Sequence, residues 1–254
     1  MFRGKILISV FWVIFTLTAS TASPQPPLTI AYPPFAPFHS KSADGSITGF
    51  FYDIITVAVE HRMGIPLAWD AYPWPRCQAN VAAGRRDAIL TVPTSERAAY
   101  SVTHETPFFI KKLNVFTAAD HKRLKEILAI KEIADIKKGG FSVVTYSGNG
   151  WHQENVAALG VQTFETSILK SVWRMLAAGR GDIVIEWPRS AWPDIRLLGL
   201  SGEIIQTPVV LSVMPFHMLI GKNSPYKGIL PELDVTIRAM QADGTIDRIL
   251  AKYD

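Results

Sequence analysis

The residues best suited to chemistry lie between positions 91 and 97. An apolar run, Ala88-Ile89-Leu90, ends at Thr91, and Pro93-Thr94 then breaks the strand it implies. Thr94 is placed to cap a helix starting at Ser95, and such an end offers free N–H groups and partial positive charge to an anion. Arg97 adds a planar fork suited to a carboxylate, each charge-assisted bond being worth roughly 1.5–3 kcal/mol. The competing role for Arg97 is a surface ion pair with Glu96, and for Thr91 an ordinary place in a strand. Trp74 is held in a loop by Pro73 and Pro75. Nucleophile–base pairs, Gly-rich phosphate loops and paired carboxylates are not visible. The six histidines are scattered with no pair at i,i+3 or i,i+4, which argues against a metal site, and no cofactor motif is present.

The elements that must position these groups alternate between strand and helix. Leu28–Ala31 reads as a strand, Gly49–Arg62 as a helix ending at Gly64, and Leu67–Trp69 as a second strand. Ser142–Thr145 is a strand running into Ser147-Gly148-Asn149-Gly150, with a helix opening near Trp151. Met218–Ile220 is a late strand, and Leu233, Ile237 and Met240 mark a helix. This order predicts an α/β fold with mainly parallel sheets. One unit occurs twice. Val81-Ala-Ala-Gly-Arg-Arg-Asp87-Ala-Ile-Leu and Leu176-Ala-Ala-Gly-Arg-Gly-Asp182-Ile-Val-Ile each read as a helix end, a left-handed glycine and a buried strand. Two copies 95 residues apart suggest two α/β lobes.

The ends and the composition narrow the setting. Arg3 and Lys5 precede an uncharged apolar run, Ile6–Ala19, and Ser20-Thr-Ala22 gives small residues at −3 and −1 of a cleavage site. The run is about 14 residues, short of the roughly 20 a spanning helix needs. A secretory signal peptide over 1–22 is therefore expected, with a mature periplasmic chain from Ser23. Arg3 and Lys5 leave with it and no acidic residue does, so the +4 charge falls to about +2. No basic stripe interleaved with aromatics argues for nucleic acid. Lys111, Lys112, Lys122, Arg123 and Lys125 read as a solvated face. With Cys77 alone, no intrachain disulfide can form, and the fold must rest on its core.

From Leu28 to Tyr253 the order of motifs resembles the amino-acid-type (family 3) extracellular solute-binding proteins, of the type II periplasmic binding fold. The resemblance rests on Ala36-Pro-Phe38, Gly49-Phe-Phe-Tyr-Asp53, Trp74 standing 13 residues before Asp87, and Thr94-Ser-Glu-Arg97. Thr106-Pro-Phe-Phe109, the repeated Gly-Arg-x-Asp corner, Gly244-Thr-Ile-Asp-Arg-Ile249 and Lys252-Tyr253 continue it. It implies a monomer of two lobes, 23–109 plus 216–254 and 110–215, joined by two hinge crossovers and closing on a small ligand. It also implies an inner-membrane ABC permease as partner. In the family an arginine at the place of Arg97 binds the ligand's carboxylate, and a hydroxyl at the place of Thr91 assists it. Tyr32, Phe35 and Trp74 fall where aromatics or ligand-side-chain contacts lie.

In the second half, Gly148 and Asn149 stand where the family has a ligand-gripping turn. A carboxylate for an amino group is expected five residues after Asp182, where this chain has Trp187, with Glu186 one residue earlier. Asp53, Asp87 and Asp182 read as caps or corners. The expected function is thus a non-enzymatic binding protein for a small polar, carboxylate-bearing, amino-acid-like ligand. Two alternatives share the fold: a sensor handing the closed form to a membrane receptor, and a cyclohexadienyl/arogenate dehydratase-like enzyme, for which Glu186 is the one acid to name.

Overall fold

The computed structural model describes residues 26–168 and 170–253, so the expected signal segment lies outside the described residues. Strand β1 (Leu28–Tyr32) is followed by a small hairpin, β2 (Ser40–Lys41) and β3 (Ile47–Thr48). Helix α1 (Phe50–Ile55) continues through π-helical turns over Thr56–Arg62 into β4 (Leu67–Ala71). Next come α2 (Trp74–Ala82), β5 (Ala88–Thr91), α3 (Ser95–Ala98) and β6 (Ser101–Thr103). The long β7 (Phe109–Ala118) leads to α4 (Leu124–Leu128), α5 (Ile133–Lys138), β8 (Val143–Tyr146), α6 (Gly150–Asn155) and β9 (Thr163–Thr166). Then α7 (Ser171–Ala177), β10 (Val184–Glu186) and α8 (Pro188–Leu197) precede the 18-residue β11 (Ile204–Gly221). Helices α9 (Leu230–Ala242) and α10 (Thr245–Leu250) close the chain.

The expected α/β architecture is present, and its pairing explains the two halves. β1 lies parallel to β4 and to β5, and β8 lies parallel to β9. The antiparallel pairs are the β2–β3 hairpin and those made by the long strands β7 and β11. These two strands pair with each other from Phe109–Phe216 to Ala118–Ile204. At one end β11 continues into β5 and β6 through His217–Gly221; at the other β7 takes β10 through Asn114–Phe116. The ribbon therefore crosses from one half of the molecule to the other. Register shifts around Val210, close to Pro208, which cannot donate to the ladder, interrupt it midway.

The repeated corner folds alike in both places. Gly84 (φ 70°) and Gly179 (φ 65°) take the left-handed conformation, with Arg85 N–H bonding Asn80 C=O and Arg180 N–H bonding Met175 C=O. Asp87 then accepts from the Thr29 N–H and hydroxyl, and Asp182 from the Ser142 N–H and hydroxyl. Both aspartates are structural corners, as the sequence suggests. Asp53 accepts from the Tyr253 hydroxyl, tying α1 to the C-terminus.

Candidate functional site

A compact loop following β1 sets the aromatic wall of the site. Phe35 N–H bonds His39 C=O at 2.7 Å, while Phe38 and His39 return N–H bonds to Phe35 C=O at 3.0 Å. The loop docks on the start of α1, whose Phe50 and Phe51 N–H groups bond the carbonyls of Pro37 and Phe38. Gly49 permits this approach: at φ 125°, a Cβ there would lie 2.3 Å from the Phe38 carbonyl oxygen. Phe38 is thereby fixed in a stack with Phe35, Phe216 and Trp187, at centroid distances of 5.6, 5.9 and 5.4 Å.

Beside this wall is a cavity of about 370 Å³, within the rough 300–1,000 Å³ range of small-ligand sites. The loop supplies Pro33, Pro34, Phe35, Phe38 and His39; Phe51, Trp74, Leu90 and Thr91 come from α1, α2 and β5. Lys111 from β7 and Met214 and Phe216 from β11 complete it, so both crossover strands border the cavity. It is a predominantly apolar space with few polar groups.

The expected site residues divide by position. Phe35, Trp74 and Thr91 line the cavity, with Phe35 largely exposed and Thr91 buried at the end of β5. Thr94 caps α3 as expected, accepting from Arg97 N–H at 3.3 Å. Arg97 is one ring removed from the cavity. Its guanidinium lies 5.3 Å from the Trp74 ring centroid and bonds Val92 C=O at 2.8 Å and the Gln78 side-chain oxygen at 3.2 Å. No Arg97–Glu96 ion pair accounts for it; the fork is held by backbone and amide oxygens.

Tyr32 is a core residue, 1% exposed against His39 and Trp69, because β1 buries that end of the strand. Gly148 and Asn149 lie away from the cavity: Asn149 caps α6, accepting from His152 N–H and donating to the Thr145 hydroxyl. Glu186 also acts locally, accepting from Trp187 N–H at 2.7 Å and from the Ser190 hydroxyl at 3.3 Å at the start of α8. Trp187 is buried in the aromatic stack and faces a second cavity, of about 390 Å³, with Lys112, Asn114, Arg189, Trp192 and Arg196.

Lys111 and His39 are the polar cavity residues that the sequence alone did not single out. Lys111, read as part of a solvated face, lies half-buried with its ammonium 5.4 Å from the Trp187 ring. Burial lowers its pKa, and the nearby Glu186 charge works against that shift. His39 is 3% exposed; neither ring nitrogen has a hydrogen-bond partner, and burial pushes its pKa down to about 3. It is a neutral imidazole at physiological pH. Cys77 is buried, its thiol pushed up to about 11 by burial, which keeps it protonated. Among the described residues, no group of three or more His, Cys, Asp or Glu side chains is placed to hold a metal, and no helix is long and apolar enough to cross a membrane.

Lobes joined by a paired crossover ribbon, with a cavity against that ribbon, define the type II periplasmic-binding architecture. Residues 28–253 match the model of the bacterial extracellular solute-binding proteins, family 3, and the chain belongs to that family. The unliganded open L-cystine solute receptor of Neisseria gonorrhoeae superposes with a TM-score of 0.67 at 19% identity, over 89% of this chain and 91% of that one. The open substrate-binding domain 2 of Lactococcus lactis GlnP gives 0.61 at 18% identity, over 91% and 97%. A histidine kinase sensor domain similar to periplasmic binding proteins gives 0.57 at 16%, over 91% and 96%. No curated protein sequence matches the chain.

Proposed function

We propose that the protein is a periplasmic, non-enzymatic receptor that captures a small carboxylate-bearing, amino-acid-like solute and delivers it to an ABC importer. The observation that carries this reading is the cavity bordered by both β7 and β11. A solute held there touches the two strands that link the halves, so its contacts can favour one arrangement of those halves over another. The lobes in this reading are 23–109 with 216–254, and 110–215. A mature start at Ser23 follows from the signal-type N-terminus.

Arg97 supports the carboxylate, since two of its N–H donors are spent on Val92 and Gln78 and the rest of the fork remains for a solute at the rim. The Glu186 carboxylate is not among the residues lining this cavity and is engaged at the start of α8, which favours binding over acid catalysis. L-cystine is a natural first solute to try, because one fold relative is a receptor for it.

The test is solution scattering and calorimetry of the mature chain against the amino acids. A bound solute should reduce the radius of gyration and emerge chemically unchanged after long incubation. Arg97→Ala should weaken it at least about tenfold, a loss of about 1.4 kcal/mol, with folding intact. Turnover of an added cyclohexadienyl acid that Glu186→Gln abolishes would replace the binding reading with the enzyme.

A further inference from the structure

We infer that Lys111 on the crossover strand joins Arg97 in holding the solute's anionic end, that the solute's body is apolar or aromatic, and that it needs no ammonium group. This deepens the proposed binding function and rests on it.

The first observation is the ammonium itself. Lys111 lines the cavity, is removed from much of its water, and lies over the Trp187 indole. Among the described residues, no carboxylate lies within ion-pair distance of it. A desolvated cation at the wall of an apolar cavity favours an anion, because in low dielectric its attraction is little screened. Trp187 stabilises the ammonium through its ring face but leaves all its N–H donors available.

The second observation is what surrounds it. Phe35, Trp74, Met214 and Phe216 offer rings and a thioether to a solute's body, and Phe35 is 64% exposed, so its face is not consumed by the core. Among the described residues, no aspartate or glutamate lines the cavity. The acid nearest in charge, Glu186, is taken by Trp187 N–H and Ser190. An amino acid's ammonium entering here loses water and meets Lys111 with no carboxylate of the cavity to compensate it. The same molecule without its amino group avoids that cost.

The third observation is His39. Its ring lines the cavity, is almost wholly buried and has no partner on either nitrogen. As a neutral imidazole it neither repels an anion nor places a charge at the cavity wall.

The experiment compares three probes on the full mature chain by calorimetry: 3-phenylpropionate, L-phenylalanine and 3-phenylpropionamide. 3-Phenylpropionate should bind at least about tenfold tighter than L-phenylalanine. Lys111→Met, which keeps length and removes charge, should weaken 3-phenylpropionate by at least about tenfold and leave the neutral amide within about twofold. Because the lysine is already desolvated, the Met variant should melt no lower than the parent. Lys112→Met, one residue along and facing the other cavity, should change neither affinity. Tighter binding of L-phenylalanine, unchanged 3-phenylpropionate affinity in Lys111→Met, or no binding of 3-phenylpropionate each overturns the inference. Compaction by any amino acid in scattering keeps the binding function in those cases; compaction by no solute removes both.

Discussion

At residues 84–87 and 179–182 the chain makes the same turn from helix to strand, and a carboxylate closes each with the same two bonds. Asp87 accepts from Thr29 N–H at 2.9 Å and its hydroxyl at 2.6 Å; Asp182 accepts from Ser142 N–H and hydroxyl, both at 2.7 Å. The third bond differs. Asp87 takes the Ser224 hydroxyl at 2.7 Å, just past the end of β11, whereas Asp182 meets His121 at 3.0 Å, just past the end of β7. Each carboxylate therefore pins the landing of one crossover onto the first strand of the half it enters. The duplicated parts anchor the ribbon, and the unduplicated ones line the cavity: the 33–39 loop has no counterpart in the other half, where Asn149 spends its side chain on its own helix.

The largest effect should come from removing either carboxylate. Asp87→Ala leaves the Thr29 N–H and two hydroxyls without an acceptor; Asp182→Ala does the same to Ser142 and releases His121. Each should cost about 2–4 kcal/mol in urea unfolding, with matching losses if the two corners are equivalent. A cost below about 1 kcal/mol at one of them breaks the equivalence and makes that carboxylate a solvated surface group.

Acid sharpens the same comparison. Burial alone would raise the Asp182 pKa, but the Ser142 bonds and the His121 ring outweigh it and hold the carboxyl below its usual range. A folded-state pKa below the unfolded value, about 3.9, contributes stability above that value and loses it as pH falls through the folded pKa. Unfolding free energy should thus decline below about pH 4, and Asp182→Asn should flatten that decline. An identical acid limb in parent and variant would assign the sensitivity elsewhere.

The corners were legible in the sequence because they are local. Helix end, glycine, aspartate and apolar strand lie within ten residues, and only glycine takes the positive φ that the turn needs without strain. The site was legible only in part. Phe35 and Thr91 reach the cavity from a loop and a strand end that the pattern places. Trp74, expected in a loop, instead opens α2 because Pro73 and Pro75 suit a helix start, whereas Lys111 and Lys112 look alike as a charged pair. A strand sends them to opposite faces, into different cavities, and that follows only once residues 109–118 are known to be a strand paired with β11. β11 itself was read only at Met218–Ile220, because Pro208 and Pro215 and its mixed polarity hide an 18-residue strand. Tyr32 illustrates the converse: its ring belongs to the core because β1 runs one residue further than the apolar pattern indicates.

The smallest predicted effect isolates the one bond that the two corners do not share in kind. His121 Nε2 stands 3.0 Å from Asp182, both side chains being partly exposed, while its other ring nitrogen accepts from Arg123 N–H at 3.1 Å. Nε2 is then the protonated position that donates to the carboxylate. His121→Ala removes that donor and the backbone acceptor, yet leaves both Ser142 bonds in place. For a partly solvated contact the cost should be about 1 kcal/mol or less, well under that of Asp182→Ala. Ser224→Ala is the matching change at the first corner, where a hydroxyl also accepts from Tyr226 N–H, and it should cost about as much. In a double-mutant cycle, His121→Ala and Asp182→Ala should couple, whereas Ser224→Ala and Asp182→Ala should add, since they act in different halves. Coupling between Ser224 and Asp182 would mean that the ribbon carries strain from one landing to the other, and the two halves would then have to be treated as a single cooperative unit.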